Sequence, residues 1–392
     1  MTPAARAQAA IEILDTWSAG QDGMDRILAA WGRRNRFAGS GDRRAIGDLV
    51  YDALRQRRSA AWVAGGSEDD GRALVHGVIT IAGADPDAIF TGGRYAPSPL
   101  SDAERMVGRA LSHAPRDVRL DYPDWLESAL SGYEDAVLQA MQTRAPLFLR
   151  VNLLKSTPES VIEALSTEDI LTKPCPLSPT ALHVVQGARA IPVSQPWRDG
   201  HIDVQDGASQ CIADLVAAAP GQIVLDLCAG GGGKALAIAA RSGNRAKVLA
   251  HDLDPRRMAD LPVRAKRAGA RIRLTGCAEL AELTGRMDWV VVDAPCSGSG
   301  TWRRNPDAKW RLTSDELERL NHLQVKLLDQ AAELCAPDGR ILYATCSILD
   351  AENEAILDAW LSRNDQWQLL TRRSLVFEHG ADGMFGALLG RR

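Results

Sequence analysis

The apolar positions along the chain change their spacing twice. Over residues 1 to about 65 they recur with a helical period: Ala5 to Trp17 and Gly23 to Trp31 each read as a helix. Ala45 to Ala61 places Ile46, Leu49, Val50 and Leu54 at i, i+3, i+4 and i+8 on one face. Gly65 to Pro99 is rich in Gly, Ala and Asp and predicts short helices and loops, and residues 101–143 return to a helical pattern around Tyr122-Pro123-Asp124-Trp125-Leu126. At Ala145-Pro146 the pattern shifts. Leu147 to Asn152 reads as a strand, Thr157 to Leu165 as a capped helix with Pro158 in its first turn, and Ala181 to Val185 as a further short strand, together a small α+β unit.

From about Asp206 strands and helices alternate. Strand-like runs sit at Ile223–Leu227, Lys247–Ala250, Arg271–Leu274, Trp289–Val292 and Ile341–Ala344. Helical stretches separate them at Gly233–Arg241, Pro255–Ala268, Ser314–Cys335 and Ala351–Leu361. Such alternation implies an α/β fold with a largely parallel, doubly wound sheet. The tail from Trp367 to Leu389 reads as a final hairpin at the sheet edge. The expected domains are 1–143, helical; 144–205, small α+β; and 206–392, α/β.

Composition narrows the partners. The 392 residues carry a net charge of −4 and a sequence pI of about 6.0, so the protein is no polycation, and nucleic-acid binding must use a local basic face. Two accounts fit Arg33, Arg34, Arg36, Arg43, Arg44, Arg55, Arg57 and Arg58: solvated helix faces, or a surface for an RNA backbone, whose phosphate oxygens arginine pairs well. The seven cysteines form no CxxC pair and no Cys/His cluster, which argues against structural zinc or a disulfide framework. Cys175, Cys211, Cys228 and Cys335 read as small buried residues. No run approaches the roughly 18 apolar residues of a membrane span, and the first residues lack the apolar core of a signal peptide. The expectation is a cytoplasmic monomer with no metal and no membrane partner.

Two stretches carry candidate chemistry. In the first, the strand Leu225-Asp226-Leu227 runs into Cys228-Ala229-Gly230-Gly231-Gly232-Gly233-Lys234 and then a helix. Glycines let a backbone approach a ligand closely. It is not a P-loop, because Cys228 stands where the first glycine belongs and Ala235 follows the lysine. The next strand ends in His251-Asp252-Leu253-Asp254, and an acid at that position can accept both hydrogens of a ribose diol, besides capping the helix at Pro255. These features point to an adenosine-containing cofactor, either a dinucleotide or S-adenosylmethionine.

The second is Asp293-Ala294-Pro295-Cys296-Ser297-Gly298-Ser299-Gly300-Thr301, with Thr345-Cys346-Ser347 about fifty residues later, each following a strand. Two thiols and a carboxylate suit methylation of a cytosine at C5. One thiolate adds at C6 and makes C5 nucleophilic, an acid stabilises the charge pushed toward N3, and a further group assists elimination. The thiols therefore favour S-adenosylmethionine. The plain alternative is two buried cysteines at strand ends.

Asp-Leu-Cys-Ala-Gly-Gly-Gly-Gly-Lys, Asp-Ala-Pro-Cys-Ser-Gly-Ser-Gly-Thr and Ala-Thr-Cys-Ser resemble the motifs of the RNA 5-methylcytosine methyltransferases, most of all ribosomal RNA small subunit methyltransferase B and its relatives. Arg303-Arg304-Asn305-Pro306-Asp307-Ala308-Lys309-Trp310, Leu149-Arg150-Val151-Asn152 and Gln205-Asp206-Gly207-Ala208-Ser209-Gln210 extend the likeness over about residues 145–390. The resemblance implies a Rossmann-like S-adenosylmethionine methyltransferase domain, preceded by an RRM-like unit and a NusB-like helical RNA-binding domain. It gives Cys346 the role of nucleophile, Cys296 that of assisting product release, and Asp293 a contact to the cytosine. Residues 228–234, Asp252 and Asp293 would line the cofactor site, and the substrate would be small-subunit ribosomal RNA. Arg303, Arg304, Lys309 and Arg311, with the N-terminal arginines, would bind it.

Two departures stand out. Gly231 replaces the family's proline, and Cys277 stands where the family has an adenine-contacting Asp, with Glu279 close enough to substitute. Two other readings stay open: a DNA cytosine-C5 methyltransferase with Cys296 as nucleophile, and a non-catalytic RNA-binding assembly factor on the same scaffold.

Overall fold

The computed structural model describes residues 1–106 and 108–392. The chain divides into two compact units, one of residues 1–144 with 302–312, the other of residues 145–301 with 313–392.

The first unit is helical. Pro3–Ser18, Met24–Arg34, Ser40–Arg55, Arg57–Ala64 and Gly71–Ile81 pack around Ile13, Leu14, Ile46, Val50, Leu54, Leu74 and Val75. The helix expected over Ala45–Ala61 is two helices, broken at Gln56 (φ −113°, ψ 32°). The buried Asp121 stabilises the break: its carboxylate accepts from Arg58 N (2.8 Å), Ser59 N (2.9 Å) and Ser59 Oγ (2.7 Å), which meets the free donors at the start of the second helix. Residues 65–99 hold the helix Gly71–Ile81, a 3₁₀ turn at Pro86–Ala88 and loops, in line with the short helices and loops expected there. Gly71 and Gly77 lie inside the helix Gly71–Ile81, where a Cβ would come within 2.6 Å of Ile11 O and 2.0 Å of Ala60 O. These glycines permit close helix packing rather than marking a loop.

Residues 302–312 belong to this unit, which corrects the expectation of an RNA-facing surface at Arg303 and Lys309, while Arg304 is exposed. Arg303 and Lys309 are buried; Arg55 Nε donates to Arg303 O (2.7 Å) and Lys309 Nζ donates to Arg55 O (3.4 Å). Arg55, Arg57 and Arg58 are likewise structural, paired with Asp52, Asp69 and Asp117. Arg33, Arg34, Arg36 and Arg44 are exposed and form no ion pair among the described residues.

The second unit opens with four antiparallel strands, β1 (Phe148–Val151), β2 (Leu171–Pro174), β3 (Ala181–Gln186) and β4 (Ile202–Val204), in the order β2-β3-β1-β4. Helices Pro158–Ser166 and Gln195–Arg198 follow β1 and precede β4, a split βαβ arrangement. Its core is Leu149, Val151, Val161, Leu165, Leu182 and Ile202.

The large sheet holds β5 (Ile223–Asp226), β6 (Lys247–Ala250), β7 (Ile272–Leu274), β8 (Met287–Asp293), β9 (Cys335–Thr345), β10 (Trp367–Leu375) and β11 (Met384–Arg391), in the order β10-β11-β9-β8-β5-β6-β7. β5 to β9 are parallel, while the hairpin β10–β11 adds an antiparallel edge to β9. Val224, Val248, Trp289 and Leu342 bury one face, and Leu225, Leu249, Val290 and Ile341 the other. Continuous apolar runs are what a sheet covered on both sides requires. The order reverses between β5 and β8, so the crevice for a ligand opens at their carboxyl ends. The helix expected over Pro255–Ala268 is a 3₁₀ turn, Pro255–Met258, followed by Leu261–Ala268.

Candidate active site

Four loops leave the carboxyl ends of β5, β6, β8 and β9 and meet at this crevice. After β5 the chain turns at Gly230 and Gly232 (φ +50° and +77°) into the helix Gly233–Arg241. A Cβ on Gly232 would come within 2.2 Å of Leu261, so this turn admits only glycine. Arginines of the small subdomain and the adjoining helix hold the loop. Arg150 Nη1 donates to Gly233 O (2.8 Å) and to Gln205, and Arg264 donates to Gly231 O and to Asp203 (2.7 Å). Arg150 is fully buried, and burial pulls its pKa down to about 10 against the attraction of Asp203.

Two clefts, each of about 620 Å³, open on either side of this loop. One is walled by Cys228, His251, Asp252, Cys277, Leu280 and Leu327. The other is walled by Gly230, Gly231, Lys234, Asp293, Cys296 and Cys346, with Arg257 and Arg264 at its margin. Of the residues the sequence singled out, Cys228, Ala229, Gly230, Gly231, Gly233, Lys234, Asp293, Cys296 and Cys346 line the second cleft and Asp252 the first, while Gly232 lines neither. Asp252 is buried; its oxygens accept from Gly230 N (2.9 Å) and Asp254 N (3.0 Å), and Arg257 pairs with it at 3.1 Å. Asp254 is the cap, accepting from Arg256 N (3.1 Å). Cys277 lines the first cleft, whereas Glu279 pairs with Arg273 (3.0 Å) and is not among the lining residues. Of the cysteines read as buried, Cys175 and Cys335 are, while Cys211 and Cys228 are partly exposed, and Cys228 borders both clefts. Burial pushes the Cys228 thiol far up, so it is a neutral wall rather than a nucleophile.

In the second cleft Cys296 Sγ and Cys346 Sγ lie 3.4 Å apart, within hydrogen-bonding reach. The hydrogen bond from Cys296 pulls the Cys346 thiol below its ordinary value, while the same contact and burial drive Cys296 well above. The two thiols are thus shifted in opposite directions by their mutual contact. Lys234 Nζ pairs with Asp293 Oδ2 at 2.7 Å; the ammonium is buried and the carboxylate faces the cleft.

Sequence reasoning passed over Asp226. This last residue of β5 is 1% exposed; Oδ2 accepts from Ala235 N (3.1 Å), and Oδ1 has no partner among the described residues. Burial first, then repulsion from Asp293, pushes its carboxyl up to about 7. The available signal was an acid ending an otherwise apolar strand directly before the glycine turn.

Comparison with known proteins places this geometry. A family model for the 16S rRNA methyltransferase RsmB/F matches residues 213–385, and one for the RsmF/B-like ferredoxin-like domain matches residues 122–191. Ribosomal RNA small subunit methyltransferase B of Pseudomonas putida is 30% identical over 300 residues, 72% of this chain and 67% of that protein. The protein of that name from Serratia proteamaculans is 30% identical over 73% of this chain and 69% of its own length.

The chain belongs to the RsmB/F methyltransferase family.

Solved structures agree on the fold of this RsmB/F-family protein. That of PH0851 superposes with a TM-score of 0.75 at 24% identity, covering 100% of this chain and 99% of the other. NSun6 from Pyrococcus horikoshii, solved with SFG, gives 0.61 at 16% identity over 68% and 97%. The cofactor of this RsmB/F methyltransferase is S-adenosylmethionine, and the residues suit it. That molecule carries a sulfonium and an amine, both cationic, and the Asp293 carboxylate that faces the cleft beside the glycine turn is an acceptor of the kind such a group needs. No helix among the described residues is long and apolar enough to cross a membrane, and no group of His, Cys, Asp and Glu among them could hold a metal.

Proposed function

We propose that this methyltransferase forms 5-methylcytosine in RNA, with small-subunit ribosomal RNA as substrate, and that it does so in the cytoplasm. The observation that carries the reading is the hydrogen-bonded thiol pair, with Cys346 shifted down and Cys296 up, beside Asp293.

The Cys346 thiolate attacks C6 of the cytosine and forms a C–S bond, and the displaced electron pair moves into the ring toward N3 and C5. Asp293 contacts the cytosine, and the Lys234 ammonium paired with it offsets the negative charge pushed toward N3. When bound, S-adenosylmethionine would supply the electrophilic methyl group for C5, leaving as the neutral thioether S-adenosylhomocysteine. A base then removes the C5 proton, the C5–C6 double bond reforms, and the C6–S bond breaks with its electron pair returning to Cys346. The Cys296 thiol, donating to the departing sulfur, makes it a better leaving group. Arg257 and Arg264 at the cleft, with the unpaired Arg33, Arg34, Arg36 and Arg44, offer the phosphate contacts that RNA requires. The base has to leave its stack to reach the thiols, which a single-stranded loop makes cheap.

Wild type, Cys296→Ala and Cys346→Ala are each mixed with unmodified ribosomal RNA and S-adenosylmethionine and run on denaturing gels. A covalent protein–RNA adduct that accumulates with Cys296→Ala and is absent with Cys346→Ala supports the assignment. An adduct that depends on Cys296 reverses the roles and favours the DNA-enzyme chemistry. Absence of both adduct and methyl transfer in every variant favours an assembly factor.

A further inference from the structure

The two thiols sit on loops leaving neighbouring strands, beyond the ladder of the parallel pair, so their separation depends on contacts made by the loops themselves. Beneath them the turn Leu349–Asn353 presents two consecutive polar side chains, Glu352 and Asn353, that are 0% and 3% exposed. Glu352 reaches one loop. Its carboxylate accepts from Ser297 N (2.8 Å) and from Ser297 Oγ, and from Gln324 Nε2 (3.1 Å), which itself donates to Pro295 O (3.0 Å). Cys296 is therefore flanked on both sides by residues tied to one carboxylate. Asn353 reaches the other loop. Its Oδ1 accepts from Thr345 Oγ1 (2.6 Å) and its Nδ2 donates to Ser347 O (3.0 Å), so Cys346 is flanked in the same way.

The brace is itself anchored, since Tyr343 of β9 donates its hydroxyl to Glu352 O (2.7 Å). Two cross-links then join the loops: Ser299 Oγ lies 2.9 Å from Ser347 Oγ, and Gly300 N donates to Cys346 O (3.0 Å). A carboxylate taken out of water is costly unless donors meet it. Three donors meet this one, and all three bear on the Cys296 loop.

We propose that Glu352 and Asn353 are positioning residues that set the distance between the two thiols, Glu352 by gripping the loop of Cys296 and Asn353 by gripping the loop of Cys346. Neither touches substrate. The inference rests on the reading above that the thiols act as a pair, and it adds which residues make them one. Misplacing reacting groups by about an ångström costs on the order of a hundredfold in rate, so loss of either grip removes turnover while the cofactor clefts stay intact.

The test is bridging of the thiols by a bifunctional bromobimane, which fluoresces when both its arms are alkylated, with the Cys296–Cys346 bridge identified by peptide mass spectrometry. It is run on the full chain as wild type, Glu352→Gln, Asn353→Leu and Ser297→Ala, alongside affinity for S-adenosylhomocysteine and single-turnover methylation of RNA. The expected result is rapid bridging in wild type, a loss of about tenfold or more in Glu352→Gln and Asn353→Leu, a smaller loss in Ser297→Ala, and cofactor affinity within about twofold throughout. Where Glu352→Gln does not fold, Ser297→Ala, which removes one of the three donors, decides the point. Wild-type bridging rates in folded variants overturn the proposal, as does a loss of bridging that merely parallels a loss of cofactor binding. If bridging behaves as expected and wild type transfers no methyl group to RNA, the positioning role stands and the proposed reaction falls.

Discussion

Asp226→Asn replaces a buried carboxyl, directly before the glycine turn, whose Oδ1 lacks a partner among the described residues. Burial raises its folded-state value from an ordinary 3.8 to about 7, an elevation worth roughly 4 kcal/mol against the ionised form. A carboxyl raised on folding holds its proton in the native state while the unfolded chain has released it. Its contribution to stability therefore falls as pH rises from about 4 to about 7 and stays at its lowest above that. Asparagine does not titrate, and its oxygen can still accept from Ala235 N. Its NH₂ is a new buried donor, which costs about 1–3 kcal/mol at every pH.

The variant is thus expected to be more stable than wild type by about 1–3 kcal/mol at pH 8 and less stable at pH 4.5. At pH 8 that corresponds to a rise of roughly 2–10 °C in the melting temperature of the second unit. Thermal unfolding followed by circular dichroism from pH 4.5 to 9 reads the effect. Stability curves for wild type and variant that run parallel across this range would refute the reasoning, because they would mean that Asp226 is not the group titrating near neutrality.

Three further outcomes follow from contacts on the page. Asp307→Ala removes the acceptor for Trp17 Nε1, Met24 N (3.2 Å) and Arg311 Nε (2.8 Å), and should cost the helical unit about 2–4 kcal/mol, read by urea unfolding. Gly300→Ala places a Cβ within 2.0 Å of Gly383 O, backbone against backbone, so about 3 kcal/mol or more of stability should be lost; a melting temperature equal to that of wild type would contradict the close approach. Arg264→Ala frees the carbonyl of Gly231 and should weaken cofactor affinity by about five- to tenfold in calorimetry, with little change in the rate of bridging between Cys296 and Cys346.

The period of the apolar positions determined the architecture. Parallel strands buried on both faces must be continuous apolar runs, so β5, β6, β8 and β9 could be read directly, and Gly233–Arg241 follows from the glycine turn before it. The identity of the chemical groups was legible too, since Cys296, Cys346, Asp293 and Lys234 each stand just past a recognisable strand end. Partnership was not. Sequence spacing does not tell whether an arginine meets solvent or an internal acceptor, so Arg303 and Lys309 read as a basic surface and are buried within the helical unit. Nor does the sequence show why Gly71 and Gly77 are glycines, because the backbone they approach, at Ile11 and Ala60, belongs to other helices. The same holds for the site. The opposite shifts of the two thiols depend on a 3.4 Å contact across 50 residues, and the shift of Asp226 depends on being sealed from water beside Asp293. Chemistry carried by one residue and its neighbours is written in order along the chain; burial and long-range pairing exist only once the chain has closed on itself.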